Sequence, residues 1–148
     1  EISQFTYFQQ MAGFECKPIS VEITYGLERI CMFTQQKKNV YELIWNNDGI
    51  IYQDVFHQSE KEFSKYNFES ANTEDLFKIF NIHEAEAKSL VKESISLPAY
   101  DQCLKASHVF NILDARGAIS VVERAEYISR IRSLVKSVAE VWIETQGI

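Results

Sequence analysis

The 148-residue sequence has no unbroken apolar run near the ~18 residues that would cross a bilayer as a helix. That excludes a membrane-spanning helix built on such a run. No internal repeat and no low-complexity tract is present, which sets aside solenoids and linker-like disorder. Cysteine is sparse: Cys16, Cys31 and Cys103 are odd in number, widely spaced, and include no C-x-x-C pair. Neither a disulfide scaffold nor a zinc site fits that pattern, and reduced core thiols in a cytoplasmic protein are expected. Basic excess is missing too. With 21 acids against 15 bases the net charge is −6, whereas a nonspecific nucleic-acid binder carries a basic surface. His57, in D-V-F-H-Q, has no second ligand at metal spacing, so a hydrogen-bonded or exposed histidine is expected there. His108 sits beside core positions in A-S-H-V-F and is expected to be a packed helix residue.

What the sequence does contain is ordinary in bulk, at 46% hydrophobic and 24% charged, enough to build a core. The informative stretch is Glu22 to Phe33, E-I-T-Y-G-L-E-R-I-C-M-F. Glu22 and Thr24 share one face and Ile23 and Tyr25 the other, which is strand period. Gly26 breaks the alternation, and Leu27, Ile30, Cys31, Phe33 and Thr34 follow at helical spacing. Strand, glycine turn, helix is the expected order. A glycine at such a junction lets something approach the backbone, and an arginine in the first helical turn, Arg29, suits a phosphate. Upstream, Ile2 to Gln9 reads as a strand with Gln4 and Thr6 on one face and Phe5 and Tyr7 on the other. Met11–Gly13 is a turn, Pro18 precedes the second strand, and that strand is expected over Ser20–Tyr25, antiparallel to the first. Two strands alone are marginal, so they are expected to belong to a larger sheet. Val40–Trp45 is a strand or short helix, and Asn46–Gly49 is a turn where the boundary between the two parts is expected.

The ordered blocks Q-F-T-Y-F-Q-Q, E-C-K-P, E-I-T-Y-G-L-E-R, D-V-F-H-Q, Y-N-F-E and L-D-A-R-G-A-I-S-V-V-E-R together resemble the alpha chains of the bacterial two-alpha, two-beta glycyl-tRNA synthetases. G-L-E-R itself is similar to motif 3 of class II aminoacyl-tRNA synthetases. Motifs 1 and 2 of that family are not in the sequence, which is therefore expected to be the C-terminal half of a longer protein. The resemblance implies an α+β fold: residues 1–49 as the end of an antiparallel class II catalytic sheet, then residues 50–148 as an all-helical bundle domain. It implies ATP-dependent activation of glycine and transfer to tRNA, with ATP and Mg²⁺ as the cofactors. The implied partners are glycine, the tRNA for glycine, a beta chain and a second alpha chain, without a membrane. Arg29 would lie over the adenine and hold a phosphate, with Gly26 lining the same ATP site. Glu22 and Thr24 match an E-x-S pattern of the other type of glycyl-tRNA synthetase, where the acid meets the substrate ammonium. Gln4 and Thr6 are candidates for that glycine pocket, and Glu1 for the magnesium-carrying acid. The rival reading is a non-catalytic, synthetase-like helical interaction module. A second rival is a nucleic-acid-binding helical domain, which the acidic balance disfavours.

Helix ends are legible downstream. Asn72 can cap a helix whose stripe is Leu76, Phe77 and Phe80. Pro98 suits a first helical turn, and Ser120-Val-Val-Glu123 is a capping box. The helix after it repeats apolar residues at Val121, Ala125, Ile128, Ile131, Val135, Val138 and Trp142, and Val122, Leu134 and Val141 widen the stripe. A stripe wider than one face needs suggests a second packing partner. The arginines beside it, Arg130 and Arg132, are expected as the polar rim of a contact with the beta chain.

Overall fold

The structure is a computed structural model and describes residues 1–146. Its order is a strand β1 (Ser3–Met11), a strand β2 (Phe14–Tyr25), and helices α1 (Leu27–Thr34), α2 (Tyr52–Lys65), α3 (Thr73–Lys92), α4 (Ser96–Ala115) and α5 (Val121–Gln146). The class is α+β. The chain divides into two compact units, Glu1–Lys65 and Tyr66–Ile148.

In the first unit β1 and β2 pair antiparallel as a two-stranded ribbon. Ala12 (φ 52) and Gly13 (φ 90) make the turn between the paired Met11 and Phe14. Two successive left-handed residues are what a two-residue hairpin turn needs, because its twist then matches the strands. β2 starts earlier than the expected Ser20. Phe8 pairs with Ser20 but Gln10 with Glu15, so the residues around Pro18 form a bulge opposite Gln9. Proline has no N–H to give to the ladder, and the irregularity is where that loss is tolerated. Pro18 thus lies inside the second strand, not ahead of it.

Residues Val40–Glu42 form one 3₁₀ turn capped by the Asn39 side chain, and Ile44 bridges to Ile51. Asn46 closes the turn between them, its Oδ1 accepting from the N–H of Asp48 (3.1 Å) and of Ile50 (3.2 Å). The bridge returns the chain so that α2 packs on this segment through Tyr41, Trp45, Tyr52 and Phe56, with Tyr52 and Phe56 ring centroids 4.6 Å apart. Compactness therefore divides the chain after Lys65 rather than at Gly49, and α2 groups with the ribbon's unit. His57 is half-buried in this aromatic group, edge-on to Tyr41 at 4.8 Å.

The second unit opens with a π-helical turn at Tyr66–Ser70 and then packs α3, α4 and α5 together. Asn72 Oδ1 accepts from Glu74 N–H (3.1 Å) and Asp75 N–H (3.5 Å), which starts α3. The capping box closes as its spacing requires: Ser120 N–H donates to Glu123 (2.8 Å) and Glu123 N–H to Ser120 Oγ (3.3 Å). These bonds favour the charged form and hold the Glu123 carboxyl below its usual range. α4 is the central helix, burying Ala99, Cys103, Ala106, Val109, Phe110, Ile112 and Leu113. One cluster gathers Leu76, Phe80, Phe110 and Leu113, and another Ala87, Ala99, Cys103, Leu134 and Val138. Among the cysteines only Cys103 is a core residue, and burial pushes its thiol up to about 11; Cys16 and Cys31 are partly exposed. His108 is exposed, because α4 turns the adjacent Val109 and Phe110 inward instead.

α5 buries Leu134, Val138 and Val141, while Val121, Val122, Ala125 and Trp142 stay exposed. Along its middle the expected stripe holds, with Ile128, Ile131, Val135 and Val138 packed on the core and Leu134 and Val141 buried beside them. Arg130 is not a solvated rim residue. It forks onto Glu84 of α3 with contacts of 2.8 and 3.0 Å, reaches Asn81 Oδ1 at 2.9 Å, and lies over the rings of Phe80 and Tyr127. Planar guanidinium suits both the fork and the ring faces. The bonds from Arg130 hold the Glu84 carboxyl below its ordinary value, with Lys88 at 3.2 Å adding to the effect. Arg132, by contrast, is exposed.

Candidate functional site

The ribbon's register brings four of the expected site residues together. Gln4 stands directly opposite Thr24, and Thr6 opposite Glu22. Residues two apart on a strand share a face, so these four form one block of two cross-strand pairs. The Thr24 hydroxyl donates to the Glu22 carboxylate. Thr6 is half-buried and the other three are exposed. One carboxylate, two hydroxyls and one amide on a flat face can grip a small cation with hydrogen-bonding neighbours.

At the end of β2 the strand becomes α1 through Gly26, as the broken alternation predicts. Gly26 has φ −82 and ψ 94, a conformation any residue adopts, so left-handed freedom is not what the position needs. What approaches the glycine is Arg29. A Cβ at position 26 would stand 3.3 Å from Arg29 Cδ and 3.5 Å from Cγ. The missing side chain lets the arginine stem fold back over the junction. Its Nη1 donates to the Glu1 carbonyl (3.1 Å) and stands 4.0 Å from the Glu1 carboxylate. Gly26 N–H donates to the Ile2 carbonyl (3.0 Å), which fastens the same corner. Arg29 remains largely exposed, with donors left over for an anion. No hydrogen bond or ion pair joins Arg29 to Glu22 or Thr24 among the described residues; the junction and the strand block are neighbouring features of one ribbon.

Glu1, the candidate for the magnesium-carrying acid, is exposed and stands 4.0 Å from the Arg29 guanidinium. Among the described residues no group of three His, Cys, Asp or Glu side chains is placed to hold a metal. No helix among them is long and apolar enough to cross a membrane. Sequence reasoning missed the contact from Tyr52 to Glu28 of α1, 3.5 Å, which joins the helix after Gly26 to the aromatic group. No local pattern marks a pair so far apart in sequence.

Comparison with known protein families places the chain among the aminoacyl-tRNA synthetases. Within that class it belongs to the glycyl-tRNA synthetase alpha subunit family, whose model matches residues 1–147.

Proposed function

We propose that the ribbon supplies part of a glycine-activating site in a glycine–tRNA ligase, at the end of a class II antiparallel catalytic sheet. The single observation that supports it most is the cross-strand block of Gln4, Thr6, Glu22 and Thr24 beside the Gly26–Arg29 junction. Glu22 meets the ammonium of glycine, a substrate that offers no side chain to hold. Thr24, donating to Glu22, keeps that carboxylate oriented, and Gln4 and Thr6 border the pocket. Arg29 gives its planar fork to a phosphate of ATP and its face to the adenine.

Chemistry then follows from position. The glycine carboxylate is already ionised and attacks the α-phosphorus of ATP in line. An O–P bond forms to glycine, and the bond to pyrophosphate breaks. No general base is needed. The glycyl group next passes to the hydroxyl at the tRNA 3′ end, releasing AMP. Orientation and fixed charge carry the rate. The partners that go with this reading are a beta chain, the tRNA for glycine and a second alpha chain, in the cytoplasm.

The test is the substrate dependence of glycine activation in the alpha subunit carrying Glu22→Gln. An ammonium left without its carboxylate raises the glycine KM by about 30-fold or more, with the ATP KM far less affected. Equal effects on the two substrates would remove Glu22 from the glycine pocket.

A further inference from the structure

α1 is eight residues long and buries none of them. A helix that short is marginal by itself, and Gly26 at its start gives it no side-chain cap. Hydrogen bonds to the rest of its unit therefore decide how it lies. At its start, Gly26 and Arg29 tie it to the backbone of Ile2 and Glu1. Both ties sit at the Gly26 corner, so they fix a pivot and leave the tilt of the helix open. The tilt is set at the other end. There the N–H of Gln36 donates to the Phe33 carbonyl (3.2 Å) and that of Lys37 to the Met32 carbonyl (2.8 Å), with Gln36 left-handed at φ 54. This double closure ends the helix at one defined residue, Gln35.

The Gln35 side chain grips one residue of the segment that follows. Its Oε1 accepts from the Ile44 N–H (2.7 Å) and its Nε2 donates to the Ile44 carbonyl (3.2 Å). The bridge to Ile51 explains why those two groups are available. Its bonds run from Trp45 N–H to the Ile50 carbonyl and from Tyr52 N–H to the Leu43 carbonyl, both 2.8 Å. Ile44 and Ile51 are thus the non-hydrogen-bonded pair, and the Ile44 N–H and carbonyl point outward from the bridge. A primary amide carries the acceptor and the donor that complete such an edge. Seven residues earlier, on the same face of α1, Glu28 takes the Tyr52 hydroxyl at 3.5 Å. Ile44 and Tyr52 so hold that face at two points about two turns apart, and Arg29 lies about 100° round the helix from it.

We infer that Gln35 is a positioning residue for Arg29. Its amide fixes the tilt of α1 against Ile44, and so sets where the guanidinium fork stands when it meets a phosphate. The inference deepens the reading of Arg29 as an ATP-binding residue and rests on it. A tilt about the Gly26 corner swings the guanidinium with the helix, and a misplacement of about 1 Å can cost on the order of 100-fold in rate. Glu22 and Thr24 lie on β2, before the corner, so the same tilt leaves the glycine-binding block in place. Because no residue of α1 is buried, the Gln35 clamp supports no core. What it controls is the direction of the arginine.

Glycine-dependent ATP–pyrophosphate exchange by the alpha subunit tests it in a double-mutant cycle. Gln35→Met keeps the length of the side chain and removes the paired bonds to Ile44. It is expected to lower kcat/KM for ATP about 10-fold, part of what a full misplacement costs, with the glycine KM within about twofold of the parent. Gln35→Glu keeps the acceptor for the Ile44 N–H but sets a carboxylate against the Ile44 carbonyl, and its loss should be the smaller one. In the Arg29→Ala protein Gln35→Met should have almost no further effect, since a residue acting through Arg29 then has nothing to position. An equal fall in both backgrounds, or a matching rise in the glycine KM, overturns the inference. Should Gln35→Met melt early, Gln35→Glu carries the same cycle. Parent-like exchange by Arg29→Ala overturns the ATP reading itself, whereas a disabled Arg29→Ala beside an unaffected Gln35→Met overturns only the positioning role.

Discussion

The two units of this chain use apolar residues in opposite ways. In the helical unit they meet one another: Phe80, Cys103, Leu113 and Ala87 are sealed, and α4 contributes most of its length to the interior. In the ribbon's unit they face outward. Phe5, Tyr7, Val21, Ile23 and Tyr25 are all more than half exposed, and Leu43 is the one buried residue of residues 1–65. A two-stranded ribbon is at best marginal by itself, so its shape depends on further packing. The candidate glycine- and ATP-binding residues all lie on this coreless unit. Stability and the proposed chemistry are therefore separable by mutation.

The largest expected effect is in the helical core. Phe80→Ala removes a ring that packs at 4.7 Å from Tyr127 and carries the Arg130 guanidinium on its face. It should lower unfolding stability by about 3–5 kcal/mol, read as a fall in the denaturant midpoint. A loss below about 1 kcal/mol would mean that the helical unit is not the stable one.

Next comes the Arg130–Glu84 fork. Glu84→Gln should cost about 3 kcal/mol near neutral pH, because it leaves a partly buried guanidinium without its charge partner. The pH dependence has a definite sign. The folded pKa of Glu84 lies below its unfolded value, so the unfolded chain binds more protons between the two, and stability rises with pH there. The contribution is complete above the ordinary glutamate pKa and disappears as pH falls through the depressed one. Acid titration of stability should therefore be steeper in the parent than in Glu84→Gln. Parallel curves would detach Glu84 from the acid response.

A smaller effect belongs to the cap of α3. Asn72→Ala leaves the Glu74 and Asp75 N–H groups without their acceptor and should cost about 1 kcal/mol. Asn72→Gly should recover most of that loss, since glycine is a tolerable cap. No recovery would point to Asn72 acting through Asp75, to which its amide also donates at 2.7 Å.

How much of this was readable in advance follows from the range of each interaction. The turn after Met11, the Gly26 junction, the Asn72 cap and the Ser120–Glu123 box all lie within a few residues, and each is present as the sequence pattern suggests. The cross-strand placing of Gln4 with Thr24 and Thr6 with Glu22 needed the register, which alternation constrains but does not set. The bulge at Pro18 shifts that register after Phe8. The division after Lys65 depends on the Ile44–Ile51 bridge and an aromatic group that closes on it, and no composition change marks it. Arg130 finds Glu84 on another helix, 46 positions away. In sequence it is one basic residue among several on an amphipathic helix, and nothing local distinguishes it from exposed Arg132.

In the proposed function the coreless ribbon carries the activation chemistry through the arginine held at the Gly26 corner. Glycine-dependent ATP–pyrophosphate exchange by the alpha subunit with Arg29→Ala tests it most directly. Arg29 is largely exposed and belongs to the ribbon's unit, not to the helical one, so the melting of the helical unit should be unchanged. Exchange should fall about 30-fold or more with the loss of a charge-assisted phosphate contact. Exchange within about twofold of the parent, from a protein that melts normally, would contradict the claim.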